Sequence, residues 1–118
     1  MQPLPPLRLQ QGGAYELGGP PVGAADVELK GNIVFIAIQY RLGVYGFLGS
    51  DALRSRDVAD NSTGNYGLQD QREALRWTRE NAGAFGGNPN HITIEGCSAG
   101  GGSTANHMYV HVASWVVL

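Results

Sequence analysis

The run Ile92-Thr93-Ile94-Glu95-Gly96-Cys97-Ser98-Ala99-Gly100-Gly101 limits the possible fold more than any other stretch. A short β-branched segment ends in Gly-x-Ser-x-Gly and is followed by helix-compatible residues. That order describes a nucleophile elbow, a serine raised on a sharp turn between a strand and a helix. The spacing has a steric cause. Strand and helix approach so closely that the positions two before and two after the serine have no room for side chains, and Gly96 and Gly100 supply none. Ser98 Oγ then points out of the sheet, while the amides opening the helix face an anion. With 18 glycines in 118 residues the pentapeptide also arises by chance, so its surroundings have to decide. A second reading competes, because Gly96, Gly100 and Gly102 also spell Gly-x-x-x-Gly-x-Gly after a strand, a pattern open to a dinucleotide.

The surroundings read as alternating strand and helix. Residues 4–9 fit a short strand with Leu7 and Leu9 on one face, interrupted by prolines. A Gly- and Pro-dense loop follows to Pro21, and 24–30 fit a short helical turn. Ile33-Val34-Phe35-Ile36-Ala37-Ile38 is apolar without alternation, as in a parallel strand covered on both faces. Tyr40 to Gly49 reads as a packed aromatic and glycine loop, and 50–64 as a polar surface excursion. Asn61-Ser62-Thr63 within it is an N-glycosylation acceptor pattern, informative only in a secreted protein.

The periodicity predicts a helix over Leu68–Phe85, with Leu68, Leu75, Thr78, Ala82 and Phe85 on one stripe. Asn65 stands near its start, and Gly86, Gly87 and Pro89 stop it. His91–Glu95 is then a second parallel strand. Strand, helix, strand is a right-handed βαβ crossover, so the expected class is α/β with a parallel sheet core. The site belongs at the C-terminal end of that sheet.

The length suits one domain at most. A net charge of −2 gives no reason to expect nucleic acid or an anionic membrane as partner. Cys97 is the lone cysteine, so no disulfide forms within the chain and the redox compartment stays open. The N-terminus shows no basic segment followed by an apolar run, so no signal peptide is visible, and localisation stays open. The apolar end from Val110 to Leu118 is far below the roughly 20 residues of a transmembrane segment. Both ends read as cut.

Several segments together resemble the type B carboxylesterases, the carboxylesterase/cholinesterase group of α/β-hydrolases. They are Gln11-Gly-Gly-Ala-Tyr15, Asn32 to Gly43, Tyr45-Gly-Phe-Leu48, Gly64 to Gln71, Ala74-Leu-Arg-Trp77, Asn81 to Pro89 and Gly96 to Gly101. Their order and spacing fit over roughly residues 4–106, and Gln-Gly-Gly in place of His-Gly-Gly looks most like fungal members. The resemblance implies one incomplete α/β-hydrolase domain over 1–118 that acts on a small-molecule carboxylic ester with no cofactor and no metal. Relatives are often secreted. Ser98 matches the nucleophile that forms the acyl-enzyme, and Gly13, Ala14 and Ala99 match the backbone donors of the oxyanion hole. Such donors must come within about 3 Å of the developing charge, and removing one raises the barrier by about 3 kcal/mol. Ala14 stands where the family has glycine, so its φ is expected to stay negative. Arg41 and Asp70 match a buried structural ion pair.

The resemblance also shows departures. The family's acid and histidine follow the serine at a distance beyond residue 118, and His91, His107 and His111 match neither. A serine without its histidine loses roughly 10⁶ in turnover, so the chain alone is expected to be inactive. Glu95 falls where an apolar residue belongs, and burying its carboxylate would be costly unless it were paired or protonated. Cys97 replaces the usual Glu or Gln and is expected to fill space rather than react. Arg8 and Gln10 interrupt an apolar strand, and similarity fades after about Asn106.

The dinucleotide reading lacks its other parts: the glycine turn lies late in the chain, and Lys30 is the only lysine for a Tyr-x-x-x-Lys base. A metal held by His107 and His111 lacks a third ligand. The rival that stands is a non-catalytic fragment or degenerate member, with exposed sheet edges and poor solubility.

Overall fold

The structure is a computed structural model, and it describes residues 12–19, 33–56, 58–59 and 61–109. Four α-helices are present among these residues: α1 (Gly43–Phe47), α2 (Asp51–Arg54), α3 (Tyr66–Asn81) and α4 (Ala99–Tyr109), with a 3₁₀ turn at Ala82–Phe85. The expected strand at 4–9, the turn at 24–30, Arg8, Gln10 and His111 lie outside the described residues.

The parallel sheet is not formed among the described residues. The runs 33–40 and 93–96 carry no strand, and only Gly87 and Ile92 are isolated bridge residues. A strand exists only by pairing its backbone with a neighbour, and no backbone hydrogen bond joins these two runs to one another. Their side chains nevertheless converge. Ile38, Ile92 and Ile94 close on Leu75 of α3, with Ile36 and Ala74 at the margin. Ile33 to Ala37 are half-buried rather than fully covered as expected. Glu95 is exposed, which corrects the expectation of a buried carboxylate.

Helix α3 starts two residues before the periodicity predicts and ends four earlier, at Asn81. Asn65 precedes it in the left-handed region (φ 54°) and makes no side-chain cap. The buried stripe is Gln71, Leu75, Thr78 and Ala82, spaced by 4, 3 and 4 residues. Phe85, expected on that stripe, is 56 % exposed. The 3₁₀ turn advances three residues per turn instead of 3.6, which rotates Phe85 off the face; its ring lies 6.2 Å from that of Trp77. Gly86 ends the turn with φ 80°, as the glycine pair predicts.

The loop expected over Tyr40–Gly49 contains α1, whose Phe47 ring lies against α3. A Cβ on Gly67 would fall 2.7 Å from Phe47 Cζ, so the ring rests on the backbone of α3 where Gly67 has no side chain. Tyr45 points away from the contact and is exposed. The excursion after it is on the surface, as expected, and carries α2. Ser50 Oγ accepts from Leu53 N–H at 3.2 Å and caps that helix. Thr63 Oγ1 closes the excursion at its base, accepting from Ser50 N–H at 2.8 Å and donating to Ser50 C=O at 3.0 Å.

Candidate active site

The turn at Ser98 falls where the pattern places it, although no strand precedes it among the described residues. Ser98 has φ 56° and is exposed, directly before α4. A non-glycine residue in this region costs of order 1–3 kcal/mol and persists only where its surroundings dictate it. Gly96 is one such constraint, because a Cβ there would overlap the carbonyl carbon and oxygen of Gly100. Hydrogen bonds from Gly100 N–H to Cys97 C=O (2.9 Å) and from Gly102 N–H to Ser98 C=O (3.0 Å) start the helix across the turn. Ala99, buried, opens α4, and its N–H has no intrahelical partner. Cys97 is exposed, so it does not fill space as expected.

The glycine loop forms a left-handed turn beside the elbow. Gly13, Ala14 and Tyr15 all have positive φ, at 91°, 53° and 65°. The turn is closed by Glu16 N–H and Leu17 N–H donating to Gly13 C=O at 2.9 and 3.0 Å. The negative φ expected of Ala14 is therefore wrong; closing this turn requires three successive left-handed residues. Among the described residues, the N–H groups of Gly13 and Ala14 donate to nothing. Gly12, one residue earlier, lies against the elbow: a Cβ on it would be 3.7 Å from Cys97 O and 3.8 Å from Ser98 Cβ. Segments 86 residues apart thus meet at the serine. An open hollow of about 710 Å³ adjoins the turn, bounded by Ala14, Tyr15, Val44, Phe47, Leu68 and Asn106. Ser98 does not line it.

Arg41 and Asp70 pair as expected, with Arg41 Nε donating to Oδ2 at 2.8 Å and Nη2 to Oδ1 at 2.7 Å. The Arg41 backbone N–H also donates to Oδ2, at 3.0 Å. The hydrogen bonds from Arg41 hold the Asp70 carboxyl below the usual carboxylate range. The pair is not buried here: the side chains are 52 % and 27 % exposed. It fixes the residue after the 33–40 run to α3, and the guanidinium also lies 5.3 Å from the Tyr66 ring centroid.

Sequence reasoning missed a buried polar chain behind the elbow. Gln71 Nε2 donates to Ser103 Oγ at 3.0 Å, which leaves Gln71 Oε1 as the acceptor for His107 Nε2 at 2.9 Å. His107 therefore carries a proton on Nε2. The three residues are 1 %, 1 % and 4 % exposed. Burial, and then the charge of Arg72, depress the His107 pKa. Tyr40 is buried alongside. Burial raises its pKa, opposed by nearby Ser103 and Gln71, yet its hydroxyl finds no partner of acceptable geometry. The one available signal was Gln71 itself, four residues before Leu75 on the apolar stripe. His107 Nε2 is engaged by Gln71. Among the described residues no histidine hydrogen-bonds Ser98.

The chain is similar to known proteins over most of its length. The carboxylesterase family profile matches residues 9–116. Venom carboxylesterase-6 of Apis mellifera is 44% identical over 104 residues, which is 88% of this chain and 17% of that protein. Aspergillus niger EstA superposes with a TM-score of 0.77 at 41% identity, over 89% of this chain and 20% of that one. A thermophilic pNB esterase does so at 0.82 and 34%, over 97% of this chain and 23% of that one. These neighbours are α/β-hydrolase carboxylesterases, and this chain spans at most about a quarter of each. No described helix is long and apolar enough to cross a membrane. On the extent of the profile match and these identities, the chain belongs to the carboxylesterase family.

Proposed function

We propose that the chain carries the nucleophile and oxyanion-binding part of a serine carboxylic ester hydrolase. In this reading Ser98 Oγ attacks the carbonyl of a small-molecule ester and forms the acyl-enzyme, and the alcohol leaves. The N–H groups of Gly13, Ala14 and Ala99 receive the negative charge on the tetrahedral oxygen. Gly96 and Gly100 hold the elbow, and Arg41–Asp70 ties the loop bearing α1 to α3. The 118 residues form part of one α/β-hydrolase domain, and the runs 33–38 and 91–95, which carry no strand among the described residues, pair as parallel strands in the longer protein. The single observation that supports this reading best is the approach of Gly12 to Ser98, which brings a turn with free amides to a serine with φ 56°. No cofactor enters the chemistry, which needs only a base, a nucleophile and donors.

The test is a fluorophosphonate probe applied to a longer protein in which the segment is followed by an acid and a histidine. Labelling at Ser98, lost in Ser98→Ala, is expected; an unlabelled serine in an otherwise folded protein rejects the reading. A second reading has its own support, because no described histidine reaches Ser98. In it the 118-residue chain is non-catalytic. Ester hydrolysis by the purified chain that disappears in Ser98→Ala would refute it.

A further inference from the structure

Tyr15 makes three contacts with two separate helices, two with α1 and one with α4. Its carbonyl accepts from Gly43 N–H at 2.7 Å, which fixes the backbone to the start of α1. Its ring meets Phe47 of the same helix edge to face, with centroids 5.3 Å apart. Its hydroxyl lies over Gly102 of α4, where an added Cβ would be 2.5 Å from the oxygen and 3.7 Å from Cζ. We infer that Tyr15 is a positioning residue that seats the left-handed turn of Gly13 and Ala14 on α4, and that Gly102 is the matching socket for its hydroxyl. The inference rests on the oxyanion role proposed above only for its functional meaning; the contact itself does not depend on chemistry.

The constraint is steric. A tyrosine on an exposed loop would swing away from an added methyl group at little cost. Here the ring is held by Phe47 and the backbone by Gly43, and the residue's own φ of 65° leaves few alternative settings. A methyl at Gly102 must therefore displace the turn rather than the hydroxyl alone. The hydroxyl and the missing side chain form a complementary pair: removing the oxygen should make room for the methyl. Gly102 starts the second turn of α4, four residues after Ser98, so the socket and the nucleophile move with one helix. Ring, carbonyl and hydroxyl thus tie the turn that bears Gly13 and Ala14 to α1 and to α4, a second link to the serine's helix beside that of Gly12.

Amide hydrogen exchange on the 118-residue chain, at low micromolar concentration, tests this directly. The amides of Glu16 and Leu17, which close the turn onto Gly13, report whether it is seated. Gly102→Ala is expected to speed their exchange about tenfold, and Tyr15→Phe in the same chain to restore the slow rate. A general loss of helix α4 would not be rescued by deleting one oxygen 87 residues away. Unchanged exchange in Gly102→Ala overturns the inference, and so does failure of the double variant to recover. If Gly102→Ala does not fold, the double variant must fold, or the inference falls. A rescued exchange pattern together with an unlabelled Ser98 in the longer protein would leave this contact standing and reject the esterase reading.

Discussion

The elbow with its glycine turn and the interface between α3 and α4 behind it are opposites in construction. At the front, Ser98, Ala14 and Tyr15 all have positive φ, and Ser98, Gly13 and Ala14 are exposed. At the back, Gln71 of α3 and Ser103 and His107 of α4 are buried and hydrogen-bond one another. Strain of a few kcal/mol at the front is tolerable only if the elements carrying it cannot relax. The back prevents that relaxation: Gln71 clamps α4 through two side chains one turn apart, and Leu75 anchors α3 in the apolar cluster. The strained turns and the buried anchors are thus different residues: the former lie on the glycine loop and just before α4, the latter within α3 and α4.

The comparison breaks first at Ser98. In a longer protein that supplies a base, Ser98→Ala should lower turnover about 10⁶-fold while leaving the melting temperature near that of the parent. A large stability change would mean that front and back are not separate. Leu75→Ala should do the reverse, with a loss of about 3 kcal/mol in urea unfolding from the cavity left among Ile38, Ile92 and Ile94. Gln71→Ala should lower stability by about 2 kcal/mol, since it leaves Ser103 and His107 buried without their partner.

The same chain has a pH signature. His107 is held neutral, with its folded pKa below the unfolded value of about 6.5. The unfolded chain therefore binds the extra proton first, and stability should fall as pH drops below about 6.5. His107→Gln should flatten that limb of the stability curve; an unchanged slope would place the titration elsewhere. Asp70→Asn should have the smallest effect, about 1 kcal/mol, because the pair is partly exposed. The contribution of Asp70 is present above about pH 4 and is lost as pH falls through its depressed folded value. Urea midpoints at pH 7 and pH 3 check both points.

What was legible in the chain divides by range. The elbow was readable because Gly96, Ser98 and Gly100 act on one another within five residues. Helix α3 was readable from its stripe, apart from Gln71, which looks like a surface residue until its partners 32 and 36 positions away are known. The ends of α3 were misjudged, since a left-handed Asn65 and a change to a 3₁₀ turn leave no mark in the periodicity. A sheet cannot be read from one strand at a time: the run 33–38 is apolar enough, but its pairing depends on neighbours that the run does not encode. The sign of φ at Ala14 was missed for a related reason, because the turn is dictated by what it must lie against.

The double hydrogen bond between Thr63 and Ser50 has a practical consequence. It brings the two ends of the excursion together, with the backbones of Gly49 and Gly64 in near contact, and Gln69 Nε2 of α3 donates to Ser62 Oγ at 3.1 Å beside them, so the stretch is held at its base. Lengthening a loop whose ends are already joined adds little entropy of closure. The tip of this stretch is accordingly the place to graft an epitope or a fluorophore, since extra residues there would not disturb the serine.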